Sequence, residues 1–274
     1  MDVFQGGIAL KPSSLGSSQW EKLENLQQIL YDLDRSGLSH LIIDSERAED
    51  DIPPKAFSKL LETVDDGGVR PVLTLPVRRC DFGVRLESVL ELISSFDGCG
   101  ICLVAGNPAY LNPDERGRRA GRPLVEAAVR IRERSESVLL LVGTEHLEGP
   151  AIIAARKAGA IPFTLLNPDI YDELSRLKHL TGLQPAVYTP FYIGQDLGGN
   201  VWRVLAGYVG RRGYSHDRLA EGLDKLTLVG ELDRICGRIK SLIDGGAGLV
   251  VGFPALPDKR QIKLFTRALE DSTL

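Results

Sequence analysis

The chain has 274 residues, 43% hydrophobic and 26% charged, with a formal net charge of −4. That composition suits one soluble globular domain and lacks the basic excess of a nucleic-acid binder or a polybasic membrane patch. No apolar run reaches the roughly 18 residues of a membrane span, and the first residues lack the basic and apolar regions of a secretory leader, so a cytoplasmic protein is expected.

Short apolar runs recur along the chain, most of them followed by a helical stretch. The first, at 3–10, carries Gly6-Gly7 and leads to a serine-rich loop in which Ser17 or Ser18 can cap a helix. That helix repeats Leu23, Leu26, Ile29, Leu30 and Leu33 at helical spacing. The second run, 40–44, ends in Asp44-Ser45-Glu46, and an acidic, proline-bearing loop precedes a helix at 54–64. The third, 70–75, ends Leu75-Pro76-Val77 ahead of a helix at 84–96. The fourth, 100–105, opens the longest polar loop, 106–122, which holds Arg116, Arg118, Arg119 and Arg122; a helix at 123–134 follows.

The fifth run, 138–142, leads through Thr144, Glu145 and His146 to Gly149-Pro150, where a helix starts. The sixth, 161–166, ends at Asn167-Pro168-Asp169 before a helix through 180. The seventh is 185–193; the glycine-rich 194–213 behind it contains Trp202, Val204 and Leu205, which suit a helix or a packed lid. A helix at 232–242 leads to the eighth run, 248–252, and a helix at 259–269 closes the pattern. Eight strands alternating with helices predict an α/β protein, a single-domain (β/α)8 TIM barrel spanning 1–274. Such barrels keep their chemistry at the C-terminal strand ends, which places Asp44, Pro76, Asn107, Thr144, Asn167, Thr189 and Phe253 on one expected rim.

Asp44 is a candidate general acid or ligand acceptor, with Glu46 as a second carboxylate nearby; an ordinary turn cap is the alternative. Gly149 and Pro150 start a helix whose N-terminus can face a phosphate, or they are a plain helix start; Glu145 and Glu148 beside them would repel an anion. Asn107 and Asn167 can contact a ligand or serve as turn residues. His146 is the histidine best placed for chemistry, while His40 begins its strand on the opposite, stability face. The four arginines of 116–122 can grip an anionic ligand or form a solvated loop. Cys99 and Cys102 form a C-x-x-C, but no second pair completes a zinc site, and burial as small apolar residues is the better account.

The stretch 226–258, with its Leu228-Val229-Gly230 run, its helix and Gly246-Ala247-Gly248 ahead of a strand ending Gly252-Phe253-Pro254, resembles the final segment of the luciferase-like flavin monooxygenase superfamily. Within it the chain is most similar to the archaeal methylenetetrahydromethanopterin reductases. Val187-Tyr188-Thr189-Pro190-Phe191, Leu165-Leu166-Asn167-Pro168, Val142-Gly143 with Gly149-Pro150, and Gly106-Asn107 agree more weakly. The resemblance implies a deazaflavin (coenzyme F420) or FMN over the strand ends and hydride exchange with a small substrate, a one-carbon pterin being the one suggested. It implies that Pro76 and Val77 face the ring, with a cis bond before Pro76 replacing a glycine kink. Gly106, Asn107, Thr144 and Asn167 would contact the cofactor, and Gly149 and Pro150 its phosphate. It also implies a homodimer through first-half helices, for which Trp20, Leu23, Leu30 and Phe57 are candidates. A member that kept the barrel and lost the pocket, acting as a binding or subunit-interaction protein without cofactor, is the alternative. A third reading is an unrelated metal- or phosphate-dependent lyase or isomerase on the same barrel, and no clustered His, Asp or Glu ligand set supports its metal version.

Overall fold

Each expected apolar run forms a strand because its Val, Ile and Leu side chains are buried on both faces, as parallel strands flanked by helices require. The computed structural model describes residues 5–33, 38–63, 68–96 and 98–273. The start of the first expected run (3 and 4) and the last residue of the helix expected at 54–64 lie outside the described residues. The first half of the chain runs β1 (Gln5–Leu10), α1 (Gln19–Leu33), β2 (His40–Ile43), α2 (Pro54–Leu61), β3 (Arg70–Pro76), α3 (Phe82–Ile93), β4 (Gly100–Val104), the short α4 (Pro113–Arg116), α5 (Gly121–Arg134) and β5 (Leu139–Gly143). It continues with α6 (Gly149–Ala158), β6 (Ile161–Leu165), α7 (Ile170–Thr181), β7 (Ala186–Ile193), α8 (Gly199–Gly210), α9 (Leu219–Leu226), β8 (Leu228–Gly230), α10 (Leu232–Gly245), β9 (Leu249–Pro254) and α11 (Lys259–Thr273).

The chain divides into two compact units, Leu10–Phe163 and Met1–Ala9 with Thr164–Leu274. In Leu10–Phe163, strands β2 to β6 pair in parallel in chain order, with His40 opposite Arg70, Val72 opposite Gly100, Gly100 opposite Leu139 and Leu141 opposite Ile161. Parallel pairing puts the ends at Asp44, Pro76, Ala105 and Thr144 on the same side of this sheet. Leu10 joins them, its carbonyl accepting the Asp44 N–H at 2.9 Å. Helix α1 begins in a capping box: Ser18 Oγ accepts the Glu21 N–H at 3.1 Å and Glu21 Oε2 accepts that of Ser18 at 3.1 Å.

In the other unit β9 lies between β1 and β7, and β8 adds to the far end of β7, with Phe191 opposite Leu228 and Ile193 opposite Gly230. Phe191 and Phe265 stack there with centroids 4.3 Å apart. A Cβ on Gly252 would come within 2.6 Å of Phe265 and 2.8 Å of Phe191, so only glycine lets the rings close over this strand. The segment read as a helix or lid is α8. It packs with α9 around Val201, Leu205, Val209, Leu219, Leu223 and Leu226. Sequence reading did not anticipate α9 or β8.

Candidate functional site

The strand ends of Leu10–Phe163 gather charged side chains. Lys11 follows β1 and Asp44 follows β2, and Lys11 Nζ lies 3.9 Å from Asp44 Oδ2. Asp44 is also a turn residue, because its carboxylate accepts the Glu46 N–H. Ser45 is fully buried and its Oγ donates to the Thr74 carbonyl at 2.6 Å, fixing the β2 exit against β3. Arg47 Nη2 donates to the Tyr110 hydroxyl at 2.7 Å, and its guanidinium stands 4.2 Å from the centroid of that ring. Lys11 Nζ is 5.8 Å from the same centroid. Asp50 is fully buried; one oxygen accepts the Ser13 N–H at 2.9 Å, and the other has no hydrogen-bond partner among the described residues.

Burial raises the pKa of Asp44 above the ordinary carboxylate range. Lys11 opposes that shift, Asp50 adds to it, and the Glu46 N–H and Arg47 oppose it more weakly. Asp44 is therefore a carboxyl that keeps its proton to higher pH than an exposed aspartate, as a proton donor at a strand end must. Glu46, half-buried, is close enough to Cys102 to help raise that thiol, although burial is the larger cause. Cys102 and Cys99 are buried, all four cysteines are free, and no group of His, Cys, Asp or Glu among the described residues could hold a metal.

The β3 end departs from what the resemblance implied. The bond before Pro76 is trans, and the strand continues regularly, the Val77 N–H donating to the Val104 carbonyl at 2.9 Å. Gly106 has φ of +91°, and a Cβ there would lie 3.3 Å from Pro76 Cβ and 3.4 Å from the Leu111 methyls. Gly106 thus sits between Pro76 and buried Leu111, with little room for a side chain.

The remaining candidates are largely engaged in local structure. Asn107 Oδ1 accepts the Ala109 N–H at 2.9 Å, a turn-capping bond. The Thr144 hydroxyl donates to the His146 carbonyl, and its N–H to the Phe163 carbonyl at 2.9 Å. Gly149 and Pro150 open α6 at an exposed corner with nothing within 4 Å of a Cβ on Gly149. There the Ala151 and Ile152 N–H groups turn back to the Glu148 carbonyl at 3.1 and 3.3 Å, and Glu145 and Glu148 stand exposed alongside.

In the other unit, Asn167 is buried, accepts the Asp169 N–H at 2.9 Å and donates to Leu165 and Glu173 at 3.1 and 3.3 Å. Thr189 is buried, and Phe253 stacks on Tyr188 at 6.2 Å. Of the dimer candidates, Leu30 and Phe57 are buried in their own unit, Leu23 is half-buried, and Trp20 alone is exposed, at 71%. Lys11, Arg47 and Tyr110 escaped sequence reading. Lys11 had one signal, its place directly after an apolar run; Tyr110 lay within a loop whose turns have no periodic pattern.

A family model covers residues 22–261 of the chain, that of a family described as of unknown function, DUF7388. The chain belongs to that family. No curated protein matches it by sequence. Solved structures match over nearly the whole chain. An F420-dependent secondary alcohol dehydrogenase in complex with an F420–acetone adduct superposes with a TM-score of 0.67 at 11% identity, over 98% of this chain and 99% of its own. The oxygenating constituent of 3,6-diketocamphane monooxygenase from Pseudomonas putida, in complex with FMN, gives 0.67 at 11% identity over 99% of each. The coenzyme F420-dependent tetrahydromethanopterin reductase of Methanopyrus kandleri gives 0.66 at 16% identity over 97% and 98%. The fold is thus the (β/α)8 barrel of the luciferase-like F420- and FMN-dependent oxidoreductases, as the resemblance implied. No helix of the described residues is long and apolar enough to cross a membrane.

Proposed function

We propose that this chain is a luciferase-like oxidoreductase exchanging a hydride between coenzyme F420 or FMN and a small substrate, with a one-carbon pterin as the substrate class to try first. The observation that carries the reading is Asp44, a carboxyl biased toward its protonated form at a C-terminal strand end of this fold. The cofactor supplies the hydride. Asp44 supplies or takes the accompanying proton, and Glu46 adds a second carboxylate. Pro76, Val77, Gly106, Asn107 and Thr144 are the proposed cofactor contacts. Gly149 and Pro150 offer a phosphate open space and the positive end of α6 rather than a full set of hydrogen bonds.

Titration of the purified chain with FMN and with F420, followed by absorbance and fluorescence, tests the reading. Saturable binding of one of them, weakened about tenfold by Gly149→Asp through like-charge repulsion, is the expected result. The competing reading is a barrel without cofactor that acts as a binding protein. It is favoured by the regular trans end of β3 at Pro76 and by the Tyr110–Arg47 stack. Failure of the wild type to bind either cofactor selects it.

We place the protein in the cytoplasm, in keeping with its four free cysteines. We also propose a homodimer using the exposed side of α1, where Trp20 and Tyr31 are 71% and 60% exposed. Light scattering that gives the mass of one chain at micromolar concentration removes the dimer.

A further inference from the structure

The arginines at the exits of β3 and β4 fall into two classes. Arg79 is neutralised by Asp81, with bonds of 2.9 and 2.8 Å, and by Asp51 at 3.5 Å. Arg85 pairs with Asp51 at 2.5 Å, and Arg122 with Glu126 at 2.6 Å. Arg78, Arg118 and Arg119 have no ion-pair partner among the described residues. Arg78 is half-buried, and its Nε lies out of water without a hydrogen-bond acceptor among the described residues. A charged donor left unmatched away from water is costly, and a native fold keeps one where something else supplies the acceptor.

The two exits are held together. Glu115 Oε1 accepts the Cys80 N–H at 2.7 Å and its Oε2 accepts the Asn112 N–H at 2.9 Å, clamping the β3 turn to α4. Both oxygens of this carboxylate are thereby engaged by backbone, although Arg118 is near enough to favour its charged form. Arg118 Nη1 stands 3.5 Å from the Arg78 carbonyl, and Arg119 follows in the chain. Arg78 and Arg118 thus share one edge, with Arg119 next to Arg118 in the chain, on a protein whose net charge is −4.

We propose that Arg78, Arg118 and Arg119 form a binding site for a multiply charged oxyanion, the anionic end of this protein's substrate. Guanidinium groups match carboxylate and phosphate oxygens with paired, planar donors, which a lysine cluster would not do. Arg78 directly follows Val77, so an anion held there anchors a molecule whose other end reaches the β3 terminus. The identification of the anion with the substrate rests on the oxidoreductase reading; the anion site does not.

Calorimetric titration of the full chain, without cofactor and at an ionic strength held constant with sodium chloride, tests the site with citrate and with pyrophosphate as probes. Saturable binding of at least one is expected, tighter citrate indicating a polycarboxylate and tighter pyrophosphate a phosphate ester. Arg78→Gln and the double variant R118Q/R119Q should each weaken it at least tenfold. Arg122→Gln, at the far end of the same loop, should bind as the wild type does. If Arg78→Gln fails to fold in a thermal melt, the exposed double variant decides. Absence of saturable binding by either probe, binding that survives the double variant, or equal loss in Arg122→Gln overturns the site. Because no cofactor is present, its failure is distinct from failure of the FMN and F420 titrations.

Discussion

The strand ends of Leu10–Phe163 and those of Thr164–Leu274 come from the same kind of parallel strand and do different work. In the first, Lys11, Asp44, Arg47 and Tyr110 form a charged, aromatic cluster around a carboxyl with a raised pKa. In the second, Thr189 is buried, Asn167 is held by its own turn, and Tyr188, Phe191, Phe253 and Phe265 stack in two pairs. A likeness of backbone therefore does not share chemistry evenly among strand ends. Substitutions in the second group should act mainly on stability, and those in the first on ligand binding with smaller effects on stability.

The largest expected effect is in the second group. Phe191 is fully buried against Phe265 and beneath Gly252, so Phe191→Ala leaves a cavity that rigid neighbours cannot fill. A loss of about 3–5 kcal/mol in denaturant unfolding is expected for such a change. A loss below about 1 kcal/mol would show that these strand ends repack freely and would break the comparison.

The next effect separates the two ends of the Leu10–Phe163 sheet. His40, at the start of β2, has a pKa lowered to about 4, by burial first and then by Arg70. The unfolded chain binds the proton more readily than the folded one between the ordinary value of 6.5 and about 4. The stabilisation is therefore complete above 6.5 and disappears as the pH falls toward 4, by on the order of 2–3 kcal/mol. His40→Gln should flatten this part of the stability profile. An unchanged profile would mean that His40 titrates as it does in the unfolded chain.

The same contrast explains what could be read from the sequence. The eight barrel strands were legible because a parallel strand buried on both faces is a short unbroken apolar run, as in Val72, Leu73 and Leu75. Strand β8 was not, because three residues carry no period, and α9 was not, because its eight residues offer only a short apolar face. Asp44 was legible from its position after a strand. Nearby Arg47 and its partner Tyr110 are 63 residues apart, and no local pattern reports such a pair. The cis bond expected before Pro76 came from the resemblance alone, and the regular ladder through Val77 replaces it.

A smaller effect tests the Tyr110 stack. Tyr110→Phe keeps the ring under the Arg47 guanidinium and removes the 2.7 Å bond from Arg47. A charge-assisted bond at a half-buried position predicts a loss of about 1–2 kcal/mol, smaller than for Tyr110→Ala, which also removes the cation–π contact. Equal losses in the two variants would show that the hydroxyl, not the ring, holds the loop.

The smallest expected change in stability is at the residue expected to matter most for ligand chemistry. Because the folded pKa of Asp44 is raised, its contribution to stability is fully present below the ordinary value of 3.8 and is lost as the pH rises through the folded pKa. Wherever the Asp44 carboxyl ionises in the folded chain it does so against its burial and against Asp50, with Lys11 3.9 Å away as compensation. Asp44→Asn keeps an oxygen for the Glu46 N–H and removes that charge. The variant should therefore be at least as stable as the wild type at pH 7, and the two should converge in acid, where Asp44 is protonated. The same variant should lose activity with the substrate if Asp44 moves the proton. Thermal melts at pH 7 and pH 4 read the first expectation, and turnover with added cofactor the second. A variant clearly less stable than the wild type at pH 7, with the gap closing in acid, would show that Lys11 holds Asp44 ionised, and the proton-donor role would then fail on its own electrostatics.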